Sequence, residues 1–270
     1  MIQIQKISSR DNPKLKLVRK VRDGSVADKI FIEGLRLAEE ALRSKISIEE
    51  CFISTEFEKA KRGRELLDKL IDRKIQICDV SDSIFSTVAD TKNSQGIILI
   101  GDRPPGGKPL IEKNLQKGHA LVIFLSEIND PSNLGAVLRI AEAADVAGVI
   151  SSKGSANAFS PKALRGAMGA GFRVLVWESA EIDEVLLWAK GQSLLLTATD
   201  VKAGTVYTKV DWKVPRLLVF GSEAHGLSGE VRQKMEEVIR IPMMNGVESL
   251  NLSVSCGILL FEALRQHSGL

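Results

Sequence analysis

The run Ala120-Leu121-Val122-Ile123-Phe124-Leu125 contains no polar residue, and this constrains the fold of the chain most. A strand with one wet face alternates apolar and polar side chains. A short run without alternation suits a strand covered on both faces, as in a parallel sheet flanked by helices. Leu217-Leu218-Val219-Phe220 has the same character. Further strands are expected at residues 146–151, 173–177 and 194–198, with helices at 134–144, 161–168 and 182–190. A last helix is expected at 253–266. Val254, Ile258, Phe261 and Leu264 form its main stripe, and Leu259 and Leu260 make it apolar nearly all round, so it needs partners on more than one side. The second half therefore reads as an α/β domain built on a parallel sheet.

A single punctuation mark precedes it. In Asp102-Arg103-Pro104-Pro105-Gly106-Gly107-Lys108-Pro109, two prolines followed by two glycines neither continue a helix nor sit inside a sheet. Residues 105–118 thus read as a linker between domains at 1–104 and 119–270. Asp11-Asn12-Pro13 starts a basic helix running to about residue 21. Strands are expected at 29–33, 50–54, 75–80 and 96–101, and helices at 35–43 and 56–73. Such alternation describes a small α/β sandwich.

At 270 residues, 44% hydrophobic and 26% charged, the chain has the size and composition of an ordinary two-domain globular protein. No apolar run approaches the length that spans a bilayer, so no membrane partner is expected. The start, Met1-Ile2-Gln3-Ile4-Gln5-Lys6, lacks the apolar core and cleavage site of a secretory signal. Cys51, Cys78 and Cys256 are odd in number and far apart, which favours a reducing compartment and hence the cytoplasm. Net charge is only +3, but Lys6, Arg10, Lys14, Lys16, Arg19, Lys20 and Arg22 face Asp11 alone in the first 22 residues. A basic start attracts phosphates; a solvated helix face accounts for it equally well. Aromatic residues, at 5%, are too few for a base-stacking sheet.

The residues with chemical potential fall in three segments. The first is Asn129-Asp130-Pro131-Ser132-Asn133-Leu134-Gly135-Ala136-Val137-Leu138-Arg139. Asn133 reads as a helix N-cap, Gly135 and Ala136 keep the first turn small, and Arg139 lies nearly two turns on, where a solvated or ion-paired arginine is ordinary. The second is Phe220-Gly221-Ser222-Glu223-Ala224-His225-Gly226-Leu227-Ser228. It leaves the carboxyl end of an apolar strand, where ligands of parallel sheets bind. Gly221 is expected to let backbone approach a ligand; Glu223 either stabilises a positive substrate group or caps a helix starting near Leu227. In the third, Ile241-Pro242-Met243 reads as the end of an edge strand. It leads to Glu248-Ser249-Leu250-Asn251-Leu252-Ser253, with Ser249 or Asn251 as cap of the last helix. The serine of Gly221-Ser222-Glu223 lacks the spacing of a nucleophile elbow. His119, His225, His267 and the cysteines have no zinc-ligand spacing. Neither G-x-G-x-x-G after a first strand nor a Walker A sequence occurs.

Taken in this order, the three segments resemble the motifs of the SpoU-type (TrmH-like) RNA ribose 2′-O-methyltransferases of the SPOUT superfamily, over the chain from about residue 119 onward. The resemblance implies S-adenosylmethionine as cofactor, held by backbone at Gly221, Ile241 and Leu250, with no metal. It implies an active site of Asn133, Arg139, Glu223, Ser249 and Asn251, with Arg139 central. A guanidinium stays protonated, so Arg139 is expected to clamp a neighbouring phosphate and let that phosphate, or a water, take the proton. A deep trefoil knot in the C-terminal domain is implied by the resemblance alone, since general topology rules disfavour knots. So is a homodimer through that domain. Ile140, Ala167 and Leu175 depart from residues frequent in the family. Phe31-Ile32-Glu33-Gly34-Leu35-Arg36-Leu37-Ala38-Glu39-Glu40-Ala41-Leu42 and Asn93-Ser94-Gln95-Gly96 resemble the ribosomal-protein-like substrate-binding domain of family members acting on ribosomal RNA. That favours structured ribosomal RNA over transfer RNA as substrate. The alternatives are a transfer-RNA ribose methyltransferase, a non-catalytic RNA-binding relative, and a SPOUT enzyme that modifies a base.

Overall fold

The computed structural model describes residues 4–118 and 120–268; His119 lies outside them. The chain divides into two compact units, Met1–Pro104 with Phe159–Arg173, and Pro105–Ala158 with Val174–Leu270.

In the first unit the elements are β1 (Gln5–Ile7), α1 (Pro13–Arg22), β2 (Lys29–Glu33), α2 (Leu35–Arg43), β3 (Ile48–Ser54), α3 (Lys61–Asp72), β4 (Gln76–Val80), α4 (Asp82–Phe85) and β5 (Ile97–Asp102). The sheet order is β1-β4-β3-β5-β2. It is mixed: β4 runs parallel to β1 and β3, while β5 runs antiparallel to β3 and β2. Helix α1 starts where the sequence indicates, because the Asn12 side chain accepts from the Lys14 amide and Pro13 takes the first helical position. The helix expected over 56–73 is broken: Phe57–Lys59 forms a 3₁₀ turn and α3 begins only at Lys61. Phe57 is buried, and a Cβ on Gly63 would stand 2.3 Å from the Phe57 carbonyl oxygen. The turn thus packs directly on the helix that follows. The short β1 and α4 carried too little pattern to be expected.

Three of the seven cations of the basic start are tied into the fold. Arg22 donates to the carbonyls of Thr87, Val88 and Ala89, Arg19 donates to the Arg10 carbonyl and the Thr87 hydroxyl, and Lys14 pairs with Glu50. Lys6, Arg10, Lys16 and Lys20 are exposed.

The second half of the chain contributes α5 (Lys108–Leu115), β6 (Leu121–Leu125), α6 (Pro131–Ala143), β7 (Gly148–Ser152), α7 (Pro161–Ala167), β8 (Val176–Ala180), α8 (Ile182–Gly191), β9 (Leu195–Thr199), β10 (Thr205–Val206), β11 (Arg216–Phe220), α9 (Gly229–Gln233), β12 (Glu237–Arg240) and α10 (Leu252–Ser268). Helix α7 belongs to the first unit. The sheet of the second unit has the order β10-β12-β9-β11-β6-β7-β8, and every pairing is parallel. Both β6 and β11 are buried along their whole length, as their unbroken apolar runs imply.

Three elements differ from expectation. Residues 108–115, inside the expected linker, are helical: Pro109 sits in the first turn, where its missing N–H is not needed, and Ile111 is fully buried. The strand expected at 173–177 starts at Val176, because Ala170–Phe172 winds into a 3₁₀ turn first. Residues 241–243 lie beyond a strand that was not expected, β12, whose ends are charged. Glu237 reads as polar surface in the sequence but is tied to the buried Arg216. Nor is β12 the edge, since β10 pairs outside it.

From β6 the chain steps to β7 and β8 on one side. It then crosses to β9, returns through β11 into the slot between β9 and β6, and ends at β12 beyond β9. The order therefore reverses between β6 and β11, the kind of switch point where parallel sheets open a crevice at their carboxyl ends. At the opposite ends, Arg216 locks three strands. Its guanidinium donates to the Thr197 hydroxyl at 2.8 Å, Glu237 at 2.6 Å and the Asp211 carbonyl at 2.6 Å, and stacks 4.9 Å from the Trp212 ring. No helix of the described residues is long and apolar enough to cross a membrane.

Candidate active site

The start of α6 is capped by Asp130, whose side chain accepts from the Ser132 amide at 3.0 Å, with Pro131 as first helical residue. Asn133 is thus inside the first turn and is not the cap. Its side chain is free for other work, and its Nδ2 donates to Glu223 Oε1 at 3.1 Å. In turn Asn251 Nδ2 donates to Asn133 Oδ1 at 3.0 Å. Asn251 Oδ1 accepts from the Ser253 amide at 2.9 Å and its hydroxyl at 2.7 Å. The cap of α10 is therefore Asn251 rather than Ser249. Residues from all three sequence segments form one hydrogen-bonded row, Glu223–Asn133–Asn251–Ser253.

Glu223 does not cap a helix either. Helix α9 begins at Gly229 and is capped by Ser228, which accepts from the Val231 amide. Glu223 instead sits in a loop that closes on itself. Ser222 and Gly226 exchange backbone hydrogen bonds of 3.1 and 2.9 Å, and the His225 amide donates to the Ser222 hydroxyl. His225 is thus a turn residue. The loop also places a constraint of its own on Gly221. A Cβ there would stand 2.1 Å from the Gly226 carbonyl carbon and 2.3 Å from the Leu227 nitrogen, distances no side chain tolerates. The space a Gly221 side chain would need is filled by the chain's own loop, while the residue itself lines the cavity described next.

Next to this row lies a cavity of about 770 Å³, within the usual range of roughly 300–1,000 Å³ for small-molecule sites. It opens at the carboxyl ends of β9, β11 and β12 and reaches the start of α10. Gly221, Ile241 and Leu250 line it, as do Asn133, Glu223, Ser249 and Asn251. Arg139 does not line it. It projects from the third turn of α6 as an exposed side chain, with no hydrogen bond or ion pair among the described residues.

Sequence reasoning missed four charged residues of the cavity wall, Asp200, Lys202, Arg232 and Arg240. Asp200 Oδ2 pairs with Arg232 Nη1 at 2.6 Å, and its Oδ1 accepts from the Lys202 amide at 2.7 Å. The usable signal for Asp200 was its place just beyond the apolar end of β9, where ligands of parallel sheets bind. Arg240 had no such signal because β12 itself was not expected. Among the described residues no group of three or more His, Cys, Asp or Glu side chains could hold a metal ion.

Comparison with known proteins places these features. The pattern of the SpoU rRNA Methylase family matches residues 120–261, and that of the MRM3-like substrate binding domain matches residues 12–99. The chain is 26% identical to the 23S rRNA (guanosine(2553)-2′-O)-methyltransferase RlmP of Bacillus subtilis, covering 96% of this chain and 98% of that protein. It is 29% identical to the 23S rRNA (guanosine-2′-O-)-methyltransferase RlmB of Bordetella pertussis, covering 83% and 91%. Among solved structures, it resembles the AdoMet-bound rRNA methyltransferase from Sinorhizobium meliloti with a TM-score of 0.80 and 25% identity, over 98% of both chains.

Proposed function

Because this chain belongs to the SpoU rRNA methylase family, we infer that it transfers the methyl group of S-adenosylmethionine to a ribose 2′-hydroxyl of RNA, with ribosomal RNA as the substrate. One observation in the fold carries this reading furthest: Glu223, Asn133 and Asn251, from three distant segments, hydrogen-bond to one another beside a cavity at a sheet switch point.

The cavity suits the cofactor. Ile241, Leu250 and the closed loop after Gly221 supply apolar and backbone surface for an adenosyl group, and the polar row lies at the same opening. S-adenosylmethionine supplies a methyl group on an already activated sulfonium, which leaves the protein to place the hydroxyl in line and remove its proton. Asn133 is held from both sides, its amino group by Glu223 and its oxygen by Asn251, so its orientation is fixed before substrate arrives. The Ser249 hydroxyl lines the cavity with no partner among the described residues and would bond the ribose. Glu223 adds negative charge beside the reacting centre, and Arg139 would grip the adjoining phosphate with its planar fork.

Arg139 stands outside its own chain's cavity, and this supports a homodimer in which each subunit lends Arg139 to its partner. Val254 and Phe261, one above the other on α10 and about half exposed, would lie in that interface. We also assign residues 1–104 to RNA binding and 119–270 to catalysis, the latter threaded as a trefoil knot. The insertion of β11 between β6 and β9 fits such a path. Three buried free thiols suit a reducing, cytoplasmic setting.

The test is to incubate the protein with ribosomal RNA and radiolabelled S-adenosylmethionine and digest the product to nucleosides. Label in a 2′-O-methylated nucleoside is expected. Label in a methylated base, or none with any ribosomal RNA, would overturn the reading.

A further inference from the structure

Two cations of the cavity wall have no ion pair among the described residues, Lys202, which is exposed, and Arg240, which is half-buried. Arg240 ends β12 and lines the wall, and its Nε is buried with no hydrogen-bond partner. The acidic groups nearby are engaged. Asp200 spends one oxygen on Arg232 and the other on the Lys202 amide, and Glu223 is bonded to Asn133. The remaining acid of the wall, Glu248, is exposed and makes no ion pair among the described residues. Withholding a guanidinium N–H from water without an acceptor is costly, so an acceptor arriving with a ligand would offset that cost.

We propose that Arg240 binds the carboxylate of the methionine moiety of S-adenosylmethionine, and so orients the amino-acid end of the cofactor within the cavity. The proposal rests on the cofactor reading given above. Its chemistry follows from the ligand's charges: the adenosine part is neutral, the sulfonium and amino groups are positive, and the carboxylate is the sole anion. A planar guanidinium fork matches a carboxylate in geometry and charge. An RNA phosphate is the other anion that reaches this protein. It is favoured less, because Arg240 stands on a sheet strand beside the fully buried Ile239 and its Nε has no access to water, whereas a bulky solvated backbone binds at a rim.

The experiment compares two ligands by calorimetry on the full chain. S-adenosylhomocysteine carries the carboxylate; 5′-methylthioadenosine keeps the adenosyl and sulfur but lacks the amino-acid end. Arg240→Gln should weaken S-adenosylhomocysteine about 10- to 100-fold, the loss of one charge-assisted pair, and leave 5′-methylthioadenosine within about twofold. The unliganded melting temperature, read alongside, should match that of the wild type. Equal weakening of both ligands would overturn the proposal, since it would mean a distorted cavity. Unchanged S-adenosylhomocysteine binding would overturn it too, and a loss confined to RNA affinity would assign Arg240 to phosphate. Failure of the wild-type protein to bind either ligand would instead sink the cofactor reading, and this proposal with it.

Discussion

The two units use their motif residues in opposite ways. In the first, Glu33 is 4% exposed, and its carboxylate accepts from the Asp90 amide, the Thr91 amide and the Thr91 hydroxyl. Gln95 accepts from the Leu35 amide and so caps α2. Both belong to segments that look functional in the sequence, yet both are consumed by the fold. In the second unit, Asn133, Glu223 and Asn251 bond only to one another and to a helix start, at the mouth of a cavity, while Arg139 bonds to nothing among the described residues. A polar residue is free to act on a ligand only to the extent that the fold has not already satisfied it.

The largest effect that tests this contrast is on Arg139. Arg139→Ala is expected to lower methyl transfer about 1,000-fold or more, the scale of losing a group that stabilises developing charge. S-adenosylhomocysteine affinity and the melting temperature should stay unchanged, because the side chain is exposed and lies outside the cavity. Arg139→Lys should recover little, since an ammonium lacks the fork. If the proposed dimer lends this residue across, mixing Arg139→Ala chains with Asn133→Ala chains should restore part of the activity. Near-wild-type turnover by Arg139→Ala alone would end the contrast.

Glu33 is expected to behave in the reverse manner. Glu33→Ala strands two part-buried amides and a hydroxyl and should cost about 1–2 kcal/mol of stability in denaturant unfolding. Cofactor binding, which belongs to the other unit, should not change. A Glu33→Ala protein of wild-type stability with weakened RNA binding would move this residue from scaffold to interface.

The same division runs through the basic start and shows what the sequence could and could not reveal. Seven cations within 22 residues looked uniform on the page. In the structure Lys14, Arg19 and Arg22 are occupied by Glu50, Thr87 and the carbonyls of 87–89, partners distant in sequence, and Lys6, Arg10, Lys16 and Lys20 are exposed, Lys16 with only a solvated 3.9 Å pairing to Asp11. Converting those four to alanine should weaken RNA binding by about tenfold at 0.15 M salt and flatten its salt dependence, with stability unchanged. Arg22→Ala should do the opposite.

Periodicity located most strands and helices, because apolar runs such as 121–125 report burial locally. It failed for β12, where Glu237 is paired with the buried Arg216 through tertiary contact alone. The site was legible as three motifs, but the assignment of caps was not. Asp130 and Asn251 compete with Asn133 and Ser249 on equal chemical terms, and only geometry separates them. The reason for Gly221 was likewise hidden, because it depends on a loop folding back five residues later.

The smallest effect concerns a charge in the second unit that is tied as firmly as those of the first. Near the end of α10, Glu262 accepts two hydrogen bonds from Arg265 and one from Gln266. Arg265 first, and then Gln266, pull its carboxyl down to about 2 from an ordinary 4.5. Gln266 also holds the Trp212 amide and the Val210 carbonyl, so the pair steadies the loop that covers Arg216. A carboxyl depressed in the folded state contributes stability that is complete above about 4.5 and is lost as pH falls toward about 2. The side chain of Arg265 is 56% exposed, and water screens most of the attraction, so the contribution should be small. Arg265→Ala should therefore be slightly less stable than the wild type at pH 7, and the two unfolding curves should converge as pH falls from 4.5 to 2. A difference that persisted at pH 2 would mean that Arg265 acts through packing and not through the charge of Glu262.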